Sequence, residues 1–320
     1  MTTAKPCCRR GFTLVEMLVV IAIIGVLAAL LVPTLYRVVV KARQNVIAQE
    51  LNQLHLAIES YKQKFGDYPP DFSDHTRVVG HLRKAFPRNS EVMTNTGMTL
   101  PTGDDALDRD TNTRFDVGQL DPSEALVFWL SMLKNDPRQP FNSSGDTTVL
   151  FPFDEKRLVD LDEDGWLSYV PPSGKSAPYV YFEMRTYNVD FPPNQPIGNN
   201  PSFPSPPTCR WPPLPPRAQP SMPAGVVYPF QTDRPVPPSS FWTNYKPNMK
   251  WANETTFQII SAGLDGEFGK DVYGDPSAPN AHKIMPSNPV ASPGILNWSV
   301  QDLDNISNFS DGKIFEDFLE

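Results

Sequence analysis

Residues 12–32 read FTLVEMLVVIAIIGVLAALLV, and Glu16 is the one charged position in the run. As a helix this stretch would extend about 31 Å, close to the hydrocarbon thickness of a bilayer. The residues before it carry Lys5, Arg9 and Arg10 and no acid. That asymmetry predicts a cytoplasmic start and an outward-facing remainder. A secretory signal peptide would have a shorter apolar core closed by small residues at a cleavage site. Here the run is longer, and Ala28 and Ala29 continue into helix-forming sequence. The segment therefore reads as a membrane anchor.

Working outward, Glu16 is the feature that an anchor alone does not explain. A carboxylate within an apolar span is costly unless it reaches the headgroups or meets a cation. Both a snorkelling side chain and a cation supplied by another subunit fit the residues. Pro33 follows the span, and its missing N–H and bulky ring predict a kink or interruption there. Beyond it, Ile47, Leu51, Leu54, Ile58, Tyr61 and Phe65 recur at steps of three and four, one apolar stripe of an amphipathic helix. Gly66 is the expected C-terminal cap, and Pro69 and Pro70 forbid continuation. Residues 12–65 thus predict one helix whose second half packs on a globular body.

The run Arg9-Arg10-Gly11-Phe12-Thr13-Leu14-Val15-Glu16 resembles the class III leader of type IV prepilins and of type II secretion pseudopilins. That resemblance implies cleavage after Gly11 by a prepilin peptidase and methylation of the new N-terminus at Phe12. It also implies that Glu16 pairs with the Phe12 amine of a neighbouring subunit during assembly. Pro33 matches a family position where the helix kinks or melts. The resemblance makes the leader residues 1–11, the anchor 12–32, the exported half of the helix 33–65 and the exported domain 66–320. It places the chain in the inner membrane as a single-pass protein, leader cytoplasmic and C-terminal domain periplasmic. Residues 61–69, YKQKFGDYP, resemble the helix end of the major pseudopilins.

The fold class implied is α+β: a pilin-like long N-terminal helix packed on an antiparallel sheet domain with long insertions. Strand candidates are residues 179–183 and 257–262, rich in aromatic and branched side chains and bounded by Pro or Gly. Asp121, Pro122, Ser123 and Glu124 predict a helix start, and the apolar run 127–133 after it predicts a buried helix. Residues 71–120 are polar and weakly patterned, which predicts a long loop with short helical turns. Eighteen of the 36 prolines fall within residues 191–247. At that density an irregular or polyproline-like arm is expected, either a partner-binding arm or a surface insertion without a ligand.

Two acidic stretches suggest a hard cation. Asp160, Asp162 and Asp164 alternate ahead of Gly165 as in the opening of a calcium loop, but Pro171 stands where the bidentate Glu would be, so no complete EF-hand exists. An acidic solvated turn is the alternative. Residues 257–269 resemble the last strand and turn of the major pseudopilin (GspG-like), and residues 302–309 resemble its closing stretch. In that family a calcium ion ties the closing loop to the body. The resemblance therefore implies a calcium site here, and Asp265, Asp302, Asp304 and Ser307 are the chosen ligands. Asn305 stands in place of a family acid, and residues 270–300 form an insertion.

The remaining composition excludes more than it assigns. After residue 11 the chain holds 25 basic against 36 acidic side chains, a net of -11, which disfavours nucleic acid as a partner. His55, His75, His81 and His282 show no metal-ligand spacing, and no nucleophile elbow or phosphate-binding loop is present, so the chain reads as no enzyme. Cys7, Cys8 and Cys209 do not define a redox compartment. The resemblance implies a structural subunit of a type II secretion pseudopilus. Its partners would be prepilin peptidase, other pseudopilin subunits and the secretion platform protein. A minor type IV pilin-like filament subunit, or a single-pass anchored calcium- or partner-binding protein, are the alternatives.

Overall fold

The computed structural model describes residues 14–88, 92–94, 97–99, 114–115, 120–141, 146–162, 165–173, 177–187, 209–211, 225–233, 250–269 and 302–318. The chain divides into two compact units, Met1–Arg43 and Gln44–Glu320. Helix α1 (Leu14–Phe65) runs through both, and it is long and apolar enough to cross a membrane. In the first unit its apolar side chains face outward: Leu14, Ile21, Val26 and Leu35 are all exposed.

The interruption expected at Pro33 is absent, because α1 is unbroken across it. Proline removes a single backbone donor, and the Thr34 hydroxyl donates to the carbonyls of Leu31 (2.8 Å) and Leu30 (3.4 Å) in the turn above. The acceptor for which Pro33 has no N–H is the Ala29 carbonyl, which these bonds do not reach, so they do not replace the lost one. At the far end Gly66 adopts φ +80° and its N–H reaches the Lys62 carbonyl at 2.7 Å, closing the helix with a left-handed cap.

In the second unit the predicted stripe is the buried face. Ile47, Leu51, Leu54, Ile58 and Tyr61 are fully enclosed, each contributing on the order of 1.5–3 kcal/mol by removal from water. They pack in one cluster with residues of α2 (His75–Ala85) and of α3 (Ala125–Ser131). Helix α2 corrects the loop expected over residues 71–120. Its start is capped by Asp74, which accepts from Thr76 N at 2.9 Å, and its apolar face is Val78, Val79 and Leu82. Three short strands, β1 (Val92–Thr94), β2 (Gly97–Thr99) and β3 (Arg114–Phe115), lie in the same stretch as an antiparallel sheet. Helix α3 starts later than predicted, at Ala125 after Glu124, which makes no side-chain cap bond there. Asp121 instead closes the turn before it, accepting from Ser123 N at 2.7 Å while Glu124 reaches back to Asp121 N at 3.1 Å.

Further strands are β4 (Leu158–Val159), β5 (Ser168–Tyr169) and β6 (Val180–Glu183), the last followed by the short helix α4 (Met184–Tyr187). Strands β7 (Cys209–Trp211), β8 (Gly225–Val227) and β9 (Gln231–Asp233) fall inside the proline-rich segment. They correct the expectation of a wholly irregular arm. Each is free of proline; β7 pairs with β8, and β9 with β10 (Lys250–Trp251), so the prolines border the ladders rather than occupy them. The rest of 191–247 lies outside the described residues.

The central sheet orders β12 (Ile306–Ser307), β11 (Phe257–Ser261) and β6, all antiparallel. Alternation divides it between two cores. Tyr181, Phe257, Ile259 and Ile306 face the cluster that contains α1. Val180, Phe182 and Ile260 face a second cluster with Phe230, Trp251 and Phe315. Gln258 on that second face is buried, and its amide pairs with the backbone of Phe230 at both ends (2.8 and 3.0 Å), substituting for a strand neighbour. The long helix and the antiparallel sheets together are the α+β arrangement expected of a pilin-like fold.

Candidate functional site

Gly11 and Phe12 lie outside the described residues. Glu16 sits in the first turn of α1, exposed, where a carboxylate is favoured by the positive end of the helix dipole. Pro33 is interior to the same helix. Asp160 is exposed and Asp162 half-buried, and Asp160 Oδ2 accepts from Gly165 N at 3.0 Å, closing the acidic turn on itself. Gly165 takes φ +95° to make that turn. Asp164 lies outside the described residues.

The C-terminal candidates are brought together in part. The turn after β11 packs on the turn before β12: a Cβ at Gly263 would stand 2.1 Å from the Asp304 carbonyl oxygen, at a φ of +65°. That close approach requires glycine. Asp304 Oδ2 accepts from Leu264 N at 2.6 Å and from Asp265 N at 2.9 Å. Loss of solvent around the carboxyl, with the Asp304 charge beside it, pushes Asp265 up to about 6. Burial likewise raises Asp304. Asp304 Oδ1, Asn305 Oδ1 and Ser307 Oγ are buried without a hydrogen-bond partner, while Asp302 is fully buried and accepts from Asn305 Nδ2 at 3.2 Å. Hard oxygen donors with open lone pairs beside two crowded carboxylates suit an oxygen-seeking cation in kind. Among the described residues, however, no group of three or more His, Cys, Asp or Glu is placed to hold a metal ion.

Two polar centres escaped the sequence reading. On α1, Glu50 accepts from Arg157 Nη1 at 2.8 Å, from Tyr169 OH at 3.0 Å and from Tyr179 OH at 2.7 Å, while Arg157 Nη2 bonds both Glu50 and Tyr169. The Arg157 guanidinium also lies 4.4 Å from the Tyr169 ring centroid. Hydrogen bonding to Glu50 raises Arg157 further, and burial beside Glu50 pushes Tyr169 up to about 12. The second centre is Asp71, fully buried after α1. Its Oδ2 accepts from Glu183 N (3.0 Å) and Thr186 Oγ1 (2.6 Å), joining the helix end to β6 and α4. Arg185 bridges Glu183 and Asp67, both at 2.7 Å, and Lys84 reaches Asp67 at 2.9 Å. Burial pushes Glu183 up to about 7 against the opposing pull of Arg185. Only the lone Glu50 between apolar stripe positions hinted at the first centre. The second has no local sequence signal, since its members come from three separated segments.

Both centres tie separate elements together. The distinguishing chemistry sits in the N-terminal segment, and there the comparisons agree. Residues 7–32 match the prokaryotic N-terminal methylation motif. The chain is 44% identical over 61 residues to type II secretion system core protein G of Klebsiella pneumoniae, which is 19% of this chain and 44% of that protein. The corresponding protein of Escherichia coli (strain K12) is also 44% identical over 61 residues, 19% of this chain and 42% of its own. Type IV major pilin protein PilA of Myxococcus xanthus (strain DK1622) is 36% identical over 62 residues, 18% of this chain and 28% of its own. The chain thus spans less than half the length of these curated relatives. No solved structure matches it. In the stretch that these matches cover, the chain is type IV pilin-like, and specifically similar to core protein G.

Proposed function

We propose that this chain is a structural subunit of a type II secretion pseudopilus, a filament component rather than an enzyme. The observation that carries the reading is the methylation motif at residues 7–32 running directly into the exposed apolar half of α1. A prepilin peptidase cuts after Gly11 and methylates Phe12. The anchor holds the subunit in the inner membrane with the C-terminal domain periplasmic, until the secretion platform protein and neighbouring pseudopilins take it into the filament. Cleavage creates a cationic amine at Phe12. In the filament Glu16 of one subunit meets that amine on the next, which gives a carboxylate in apolar surroundings the partner it needs. The C-terminal turns bind calcium through Asp265, Asp304 and neighbouring oxygens, holding the closing segment to β11. The acidic turn at 160–165 is a second, weaker cation loop.

A minor subunit of a type IV pilus-like filament is the second reading, favoured by the similarity to type IV major pilin protein PilA over a comparable stretch. Both readings require assembly through Glu16, and a single-pass binding protein would not. Site-directed cross-linking through single cysteines introduced at exposed anchor positions such as Ile21 or Val26, with Phe12 and Glu16 kept, tests this. Cross-linked ladders in membranes containing the secretion machinery, absent without it, are expected. Monomers alone would contradict the filament reading.

A further inference from the structure

The charge pattern where the apolar run ends points to a lipid-binding surface, an inference that rests on the anchor reading. Between Glu16 and Glu50 the chain contains no acid, and its cations in that interval are Arg37, Lys41 and Arg43. From Leu14 to Leu35 the helix rises about 33 Å, so these three side chains fall at the headgroup layer of a bilayer that the apolar run spans. All three are exposed, and Tyr36 beside them is 72% exposed. Arg37 and Lys41 stand four apart on one face of α1, while Tyr36 and Arg43 stand seven apart on another. The helix therefore offers cations in more than one direction, with an aromatic ring at the level where tyrosines favour the interface. Long aliphatic stems let Arg37 stay against the acyl chains while its guanidinium reaches phosphate.

We infer that Tyr36, Arg37, Lys41 and Arg43 form a collar that binds the phosphate headgroups of anionic phospholipids at the C-terminal end of the anchor. The cations bear on retention as well as insertion. Removal of residues 1–11 would take away Lys5, Arg9 and Arg10. The collar then supplies the side-chain cations nearest the apolar run, the Phe12 amine being the other positive charge beside it. Its hold on anionic headgroups weakens with ionic strength, as expected for charges at a hydrated surface.

The test uses the full chain reconstituted in vesicles of equimolar phosphatidylglycerol and phosphatidylcholine, followed by native mass spectrometry of retained lipid. The wild type should retain phosphatidylglycerol several-fold over phosphatidylcholine at low salt. Each cation removed from the collar should lower that preference, by up to roughly fivefold. The triple variant Arg37→Gln/Lys41→Gln/Arg43→Gln should retain the two lipids equally. A control triple at exposed cations elsewhere, Arg83→Gln/Arg88→Gln/Lys156→Gln, should keep the wild-type preference. Equal retention by the wild type, or an unchanged preference in the collar variant, would overturn the proposal. Alkaline carbonate distinguishes the level of failure. A wild-type chain released from the vesicles refutes the anchor and the collar together, whereas a retained chain without lipid preference refutes the collar alone.

Discussion

Asn308 Nδ2 lies 3.2 Å from His55 Nδ1, and a single arrangement of protons fits that contact. Asn308 Oδ1 accepts from Ile259 N at 2.9 Å, which fixes the amide orientation, and Nδ2 also donates to the Phe257 carbonyl at 3.2 Å. His55 Nδ1 must therefore accept, leaving its proton on Nε2. One side chain from the closing segment thus joins the central strand β11 to the long helix.

Asn308→Ala should destabilise the folded body by about 1–3 kcal/mol, since it strips the Ile259 N–H of its side-chain acceptor in a buried strand, while the Phe257 carbonyl keeps Asn253 Nδ2 at 2.9 Å. His55→Ala should cost less, about 1 kcal/mol, because only one bond and a ring contact are lost. Thermal unfolding of both variants in detergent checks the order.

The Glu50–Arg157 centre carries a larger penalty. Their side chains are 12% and 20% exposed, so Arg157→Leu leaves a largely buried carboxylate held by two phenols alone. A loss of about 2–4 kcal/mol is expected. The double variant Glu50→Gln/Arg157→Leu should recover part of it, because the stranded charge is gone. A double variant no more stable than Arg157→Leu would show that packing, rather than charge, dominates.

Glu183's contribution to stability should fall as pH rises through the acidic-to-neutral range, against that of His81, which burial lowers to about 4 and which therefore gains as pH rises. Glu183 is raised from an ordinary value of 4.5 to about 7, so between those values the folded state binds more protons than the unfolded one. Its share of stability is full below pH 4.5 and is lost as pH climbs to 7. From pH 5 to 8 the loss should be about 2–3 kcal/mol. Asp71, raised by burial, acts in the same direction. Glu183→Gln should remove that falling component and leave stability rising more steeply with pH; an unchanged pH dependence would place the titration elsewhere.

How far the sequence carried depends on how local each signal was. The anchor, the stripe on α1 and the strands at 180–183 and 257–261 repeat at their own period, so adjacent residues report their own burial. Helix α2 was missed because its apolar side chains are few, although Asp74 and the Val78, Val79 and Leu82 spacing were there to read. Strands β7, β8 and β9 hid among prolines that dominate the composition around them. Asp71 looked like a turn residue, and nothing near it in the chain announces Glu183 or Arg185. Asp265 and Asp304 were read through resemblance, and their juxtaposition depends on the close approach at Gly263.

Calcium should raise the melting temperature of the full chain, and EDTA should lower it. The pair Asp265→Asn/Asp304→Asn should abolish that difference while retaining a cooperative transition. A wild-type transition indifferent to both calcium and chelator would remove the ion from the account.

The most direct test of the account is the mass of the N-terminal peptide from chain isolated from membranes that contain prepilin peptidase. The account predicts a chain beginning at Phe12 and carrying one added methyl group, with Gly11→Val leaving the leader attached. A wild-type chain that keeps residues 1–11 in that membrane would contradict it.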